Sequence, residues 1–201
     1  MVKRAFDLFC SAVGLVALAP VFTVVAVSIR IDSPGPVFFR QERVGRFGRV
    51  FRIHKFRTMR HRPDGGGPSI TVGIDSRVTR LGAFLRRYKI DELPQLIDVF
   101  EGSMSLVGPR PEVPEYVAHY PVEDRDIVLS VRPGITDLAS LEFSDESSLL
   151  ARAEDPQRFY VEEVLPMKIK YYREYVGTRT LLGDVRIILA TLQKVFLGGE
   201  R

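Results

Sequence analysis

The dominant feature of the chain is an apolar stretch near its start. Leu8 to Ile29 are 22 residues without a formal charge, with Pro20 near the middle. As a helix this length can cross a hydrocarbon core of about 30 Å. Proline inside it removes a backbone donor and crowds the preceding turn, which predicts a break or bend at Ala19-Pro20. The pattern changes at Asp32-Ser33-Pro34-Gly35-Pro36, a turn by composition. Val37–Phe39 and Val50–Ile53 then read as short strands flanking Gly45-Arg46-Phe47-Gly48, so a β-hairpin is expected. Pro63 to Ser69 reads as a flexible loop without the Gly-Lys-Ser/Thr of a P-loop.

Helical periodicity takes over after that loop. Thr79 is placed as an N-cap, with Leu81, Phe84, Leu85 and Tyr88 on one face. Ile90-Asp91-Glu92-Leu93-Pro94 restarts a helix that Leu96, Ile97 and Phe100 continue and Gly102 ends. The last third is helical by pattern. It finishes in a stripe of Leu181, Leu182, Val185, Ile188, Leu189, Leu192, Val195 and Phe196, with Arg186 and Lys194 opposite. Such a stripe either packs on a core or lies in a membrane interface. The expected fold is α+β and mostly helical, with a membrane helix over 1–31 and a membrane-associated domain over 32–201.

Composition narrows the chemistry. With 45% hydrophobic and 27% charged residues over 201 positions, the chain is neither disordered nor low in complexity. A single cysteine, Cys10, excludes a disulfide framework and a Cys-based zinc site, and suits a reducing compartment. His54, His61 and His119 are too scattered for a histidine cage, so any metal is a hard cation on oxygen ligands.

The net charge of +4 hides an asymmetry: residues 1–89 carry 17 Lys and Arg against 5 Asp and Glu, and residues 90–201 carry 12 against 20. A basic N-terminal half suits an anionic membrane surface or a polyanion. Dense positive charge from Arg30 to Arg62 is retained in the cytoplasm, which argues against a cleaved secretory signal. A Pro-kinked spanning helix would put Lys3 and Arg4 on the far side, whereas a re-entrant helix keeps both basic flanks cytoplasmic. Charge alone leaves both topologies open. Phe47, Phe51 and Phe56 among the arginines would suit nucleic acid, but a face held against lipid argues for phosphate-bearing lipid or substrate instead.

Asp91 and Glu92 fall at a predicted helix start, where acidic residues are ordinary and where the dipole would lower their pKa values. Their neighbours give them a second meaning. Arg86, Arg87 and Lys89 precede them, and the rigid Gly108-Pro109-Arg110-Pro111 segment follows. Carboxylates beside several cations describe a site for phosphate with a divalent cation, Glu92 ligating the metal and the arginines gripping phosphate oxygens.

The ordered segments Lys3-Arg4-Ala5-Phe6-Asp7, the proline-interrupted apolar run, Lys55-Phe56-Arg57-Thr58-Met59, Asp91-Glu92-Leu93-Pro94-Gln95-Leu96, Met104-Ser105-Leu106-Val107-Gly108-Pro109-Arg110-Pro111 and Arg132-Pro133-Gly134-Ile135-Thr136 resemble the bacterial sugar transferase family, the monotopic polyprenyl-phosphate phosphoglycosyl transferases. The likeness covers nearly the whole chain and corresponds to the minimal catalytic form. It implies transfer of a phospho-sugar from a UDP-sugar to undecaprenyl phosphate with release of UMP, at the cytoplasmic face of a bacterial inner membrane. Asp91 maps onto the family's nucleophile, which forms a covalent phospho-sugar aspartate, and Glu92 onto its Mg2+ ligand. Lys55, Arg57, Arg86, Arg110, Pro111 and Arg132 correspond to a phosphate- and substrate-binding set. The implied topology is re-entrant, broken at Pro20. Implied partners are the UDP-sugar, undecaprenyl phosphate and the bilayer, with downstream glycosyltransferases or a second copy of the chain beyond these and no nucleic acid. The competing reading is a non-catalytic basic scaffold or phosphate-lipid-binding protein anchored at the membrane.

The chain departs from the family's usual pattern at several points. Ala19 stands where Ser is common, Ser103 where Asp is, and Asp98 where Asn is. After Thr136 it continues Asp137-Leu138-Ala139-Ser140 instead of Gly-Trp-Ala-Gln, in a region (137–146) expected near sugar or nucleotide.

Overall fold

A computed structural model of the chain describes residues 1–61, 75–142 and 149–197. The loop expected over Pro63 to Ser69, Arg62, the latter part of the divergent 137–146 segment and the side chain of Phe196 lie outside the described residues.

Helix α1 runs from Val2 to Asp32, 31 residues with Pro20 inside. The helical state continues through Pro20, so the proline removes a donor within one helix and does not create a non-helical linker. Thr23 Oγ1 donates to Ala19 O at 2.9 Å and Ser28 Oγ to Val24 O at 2.8 Å, back-bonding that bends helices. The buried residues of α1 fall toward its two ends, Asp7 and Ser11 near the start and Val25 and Ile29 near the finish, although Phe9, Val27 and Ile31 there are exposed, as are Val16, Val21 and Val24 around Pro20.

Four short strands follow. β1 (Phe38–Phe39) pairs antiparallel with β4 (Lys55–Phe56), and β2 (Glu42–Val44) pairs antiparallel with β3 (Val50–Arg52) around a 3-10 turn at Arg46–Gly48. The expected hairpin is present, but its first strand is Glu42–Val44. Phe38 and Phe39 instead face Phe56 and Lys55. The physical reason is aromatic packing: the Phe38 and Phe56 rings stack at 5.5 Å, and Phe22 of α1 meets Phe56 edge-on at 5.5 Å.

Helix α2 (Arg80–Arg87) starts at Thr79, whose side chain accepts from Gly82 N, a cap worth about 1 kcal/mol. Lys89 then takes a left-handed backbone (φ 54) and opens a separate 3-10 turn over Ile90–Glu92. Helix α3 (Gln95–Glu101) begins after Pro94 and ends at Gly102 with φ 98, a conformation glycine adopts without steric cost. Strand β5 (Ser105–Val107), helices α4 (Pro114–Val117) and α5 (Val122–Val128), strand β6 (Gly134–Thr136) and helix α6 (Leu138–Glu142) come next. β5 and β6 pair in parallel. A Cβ on Gly134 would lie 2.1 Å from Gly108 N, so glycine there lets the strand ends close and fixes the loop between them.

The chain finishes with α7 (Pro156–Phe159), a π turn at Tyr160–Val164, α8 (Leu165–Thr178) and α9 (Leu181–Leu197). Tyr116, Tyr160, Val164, Leu165, Ile169 and Tyr172 lead the largest core cluster. At its edge Glu112 accepts from Tyr160 Oη (2.7 Å) and Lys168 Nζ (2.9 Å). Burial pushes the Glu112 carboxyl up, but Lys168 and Arg43 outweigh it and hold it below the ordinary range. In α9, Ile187 is buried beside Val107 and Tyr175 and Ile188 of the predicted stripe packs partly against them, while Leu182, Leu189 and Leu192 of that stripe stay exposed.

Candidate active site

Four separated pieces of chain bring charged groups to one place. Lys55 comes from β4, Arg86 from α2, Asp91 and Glu92 from the 3-10 turn, and Arg110 from the loop after β5. Gly82 allows α2 close approach, since a Cβ there would lie 2.0 Å from Thr58 O. That contact brings Arg86 Nε to Thr58 Oγ1 at 2.8 Å. The Arg110 loop is fixed by Gly108 N donating to Thr136 O (3.1 Å) and Gly134 N donating to Pro109 O (3.0 Å).

Asp91 and Glu92 are both buried. Lys55 Nζ stands between them, 2.9 Å from Asp91 Oδ2 and 3.1 Å from Glu92 Oε1. Arg110 grips Glu92 with both terminal nitrogens, Nη2 to Oε1 at 2.5 Å and Nη1 to Oε2 at 3.1 Å. Burial pushes the Glu92 carboxyl up, yet the charges of Arg110 and Lys55 hold it well below the ordinary range. The Glu92 carboxylate in turn lifts Arg110 well above its usual value, against the effect of burial. Burial pulls Arg86 down, against the neighbouring Asp91. Asp91 Oδ1 is buried and has no hydrogen-bond partner among the described residues, a costly arrangement unless a ligand completes it.

The pair sits in the 3-10 turn that leads directly into α3, and the depression at Glu92 comes from Arg110 and Lys55 rather than from the helix N-terminus the sequence suggested.

Lys55, Arg86, Asp91, Glu92 and Arg110 therefore lie together, whereas Arg57 and Arg132 make their contacts elsewhere and Pro111 supports the Arg110 loop. Arg57 spends its guanidinium on Ile29 O (3.4 Å), Ser33 O (2.6 Å) and Pro34 O (2.7 Å). It ties the C-terminal end of α1 to β4. Arg132 Nε donates to Gly102 O at 2.7 Å, at the far end of α3 from the carboxylates. Pro111 O accepts from Arg43 Nη1 at 2.9 Å, so its carbonyl braces the Arg110 loop. Thr58 was not singled out from the sequence, although its place in the Lys55–Met59 segment pointed to it. Asp137, buried and close enough to add to the charge around Arg110, had no signal beyond opening the divergent segment.

The donor set suits a hard cation. Glu92 Oε1 faces Lys55 and Arg110 while Oε2 accepts from Arg110 Nη1 alone, which leaves Oε2 a free lone pair, and Asp91 Oδ1 has no partner among the described residues. Mg2+ is commonly held by one or two carboxylates together with phosphate oxygens and water. Beside them, Lys55, Arg86 and Arg110 are placed to neutralise a diphosphate, arginine bidentately.

A sequence model of the family described as bacterial sugar transferase matches residues 1–198. The undecaprenyl-phosphate glucose phosphotransferase of Komagataeibacter xylinus is 39% identical over 198 residues, covering 96% of this chain and 35% of that protein. The UDP-N-acetylgalactosamine-undecaprenyl-phosphate N-acetylgalactosaminephosphotransferase of Aeromonas hydrophila is 35% identical, covering 98% of this chain and 44% of its own length. The exopolysaccharide production protein PSS of Rhizobium leguminosarum bv. phaseoli is 38% identical, with 100% and 98% covered. The chain thus spans less than half of the first two relatives and nearly all of the third.

Proposed function

The chain belongs to the bacterial sugar transferase family, and on that premise we propose that it transfers a phospho-sugar from a UDP-sugar to undecaprenyl phosphate, releasing UMP. This would be the first membrane step in building a bacterial glycan. The observation that carries the proposal is the buried Asp91–Lys55–Glu92–Arg110 cluster with Asp91 Oδ1 unclaimed. The names of the relatives supply the substrate classes. A basic scaffold would bind phosphate equally well, but it has no use for a buried carboxylate oxygen without a partner.

In the proposed mechanism Lys55, Arg86 and Arg110 bind the donor diphosphate and Asp91 attacks its sugar-proximal phosphorus. A bond forms from an Asp91 carboxylate oxygen to phosphorus, the bridging P–O bond breaks, and UMP leaves with that electron pair. An oxygen of undecaprenyl phosphate then bonds to the same phosphorus and the aspartyl–phosphorus bond breaks, restoring the carboxylate. Lys55 and Arg110 keep Glu92 ionised between them, and Glu92 in turn holds Lys55 against the nucleophile. Glu92 would hold Mg2+, which would supply charge neutralisation to the diphosphate when bound.

The same reading assigns residues 1–31 to a re-entrant membrane helix and 32–201 to a catalytic domain on the cytoplasmic face of the inner membrane. Support comes from both ends of α1. Lys3 pairs with Asp184 (2.6 Å), Arg4 donates to Val99 O (2.6 Å) and Asp7 accepts from Ser105 Oγ (2.9 Å). At the other end Arg57 holds the carbonyls of Ser33 and Pro34. Contacts at both flanks, with an exposed apolar middle at Pro20, suit a helix that enters and leaves on one side. Leu182, Leu189 and Leu192 on α9 suit a helix lying in the interface. The test is UMP release from a panel of UDP-sugars with undecaprenyl phosphate and magnesium. Acceptor-dependent UMP release from at least one donor supports the proposal, and none from any donor overturns it.

A further inference from the structure

We propose that Asp98 is a positioning residue for Lys55, acting through His54. The inference deepens the reading above, in which Lys55 touches the reacting phosphates.

Asp98 lies on α3, seven residues beyond Asp91, and its side chain is 1% exposed. Both of its oxygens go to one residue. Oδ2 accepts from His54 N at 2.8 Å, and Oδ1 meets His54 Nδ1 at 2.8 Å. A guanidinium only donates, and Arg40 faces Nε2, so Nε2 keeps its lone pair and Nδ1 carries the ring proton toward Asp98. Arg40 Nη1 donates to that lone pair at 2.5 Å, while Arg40 Nη2 donates to Arg52 O at 3.0 Å. Phe38 stands edge-on to the imidazole at 6.0 Å. Both ring nitrogens and the backbone N–H of His54 are therefore used in one tautomer and one orientation.

The residue held this way immediately precedes Lys55. The 3-10 turn and α3 form nearly continuous helical chain, through Leu96 N to Leu93 O (3.0 Å) and Ile97 N to Pro94 O (2.9 Å). One rigid stretch thus presents Asp91 and Glu92 at its start and grips the backbone before Lys55 from its middle. The distances from Lys55 Nζ to the two carboxylates are set by this frame. Strand pairing with Phe39 holds Lys55 from the other side, so losing Asp98 should loosen Lys55 without releasing it. A shift of about 1 Å at a catalytic group can cost about 100-fold. With the Phe39 pairing intact, the expected loss is about tenfold.

The experiment is a double-mutant cycle on full-length protein in detergent micelles, read as UMP release and as the 15N signal of the Lys55 ammonium, assigned by its loss in Lys55→Met. Asp98→Ala is expected to lower kcat about tenfold with little change in donor KM, and to move the Lys55 signal while that of Lys168 stays. In a Lys55→Met background, Asp98→Ala should add nothing, since coupled residues are not additive. Asp98→Asn keeps the volume and serves if the alanine variant does not fold. Its single amide oxygen can serve only one of His54 N–H and Nδ1–H, and its NH2 would oppose the other, so the same pattern is expected at smaller size. An equal fold-loss in both backgrounds, or an unmoved Lys55 signal, overturns the inference. A moved signal in a protein that releases no UMP in any form supports the positioning and instead overturns the transferase reading.

Discussion

Replacing Arg110 with methionine keeps an unbranched side chain of similar length but removes both of its contacts to Glu92, at 2.5 and 3.1 Å. Taking one partner from a buried ion pair generally costs about 3–5 kcal/mol, because the other charge is left in low dielectric. Two features lower that figure here. The Arg110 side chain is 31% exposed against 10% for Glu92, and Lys55 stays 3.1 Å from Glu92 Oε1. A loss of about 2 kcal/mol is expected, which for a domain of this size is about 4–8 °C in melting temperature.

Thermal unfolding in detergent micelles, followed by circular dichroism across pH, measures it. Glu92 is held well below its unfolded value, which is about 4.3. Its contribution is therefore complete above that value and fades as pH falls toward the folded one. The gap between wild type and Arg110→Met should stay constant from about pH 8 to 5 and narrow below about pH 4. In a Glu92→Gln background Arg110→Met should cost little. A shift under about 1 °C at pH 7, or the same shift with and without Glu92, would refute the assignment of Arg110 to this pair.

Arg57→Met should detach the C-terminal end of α1 from β4 by freeing three backbone carbonyls, lowering stability by about 2 kcal/mol. Limited proteolysis near Ser33 should speed up accordingly. With Cys10 replaced by serine and Val2 by cysteine, a membrane-impermeant thiol reagent should fail to label intact cells and should label inverted vesicles. Labelling from the periplasm would favour a spanning helix. The double variant Leu182→Asp/Leu189→Asp, on the exposed side of α9, should weaken binding to anionic vesicles while leaving UMP release from donor in micelles near wild type; unchanged vesicle binding would remove α9 from the interface.

The sequence made the acidic pair legible because its cations lie nearby in the chain: Arg86 precedes Asp91 by five residues and Arg110 follows Glu92 by eighteen. Apolar period and capping residues marked α1, α2 and the end of α3, all features written locally. What was illegible depends on long-range choices. Arg57 sits two residues from Lys55 but just past the end of β4, and the two side chains go to different places, one to the carboxylates and one to the end of α1. Arg132 is drawn to the last turn of α3 by a carbonyl that no local pattern announces. The pairing of β1 with β4 follows from ring packing among Phe22, Phe38 and Phe56, residues spread over 35 positions. His54 and Asp98 are 44 residues apart, and nothing in either neighbourhood signals that they meet.

The central claim is that Asp91 becomes covalently bonded to the phospho-sugar, and intact-mass analysis after incubation with a UDP-sugar and magnesium, without lipid acceptor, tests it most directly. A mass increase of one phospho-sugar, accompanied by UMP and absent in Asp91→Asn, is the predicted result, because a neutral amide is a poor nucleophile at a phosphorus ringed by anionic oxygens. If Asp91 instead acted as a general base for direct attack by the lipid phosphate, an acceptor already anionic at neutral pH, turnover would need both substrates bound together. No adduct from donor alone, in a preparation that turns over fully once undecaprenyl phosphate is added, would contradict the account.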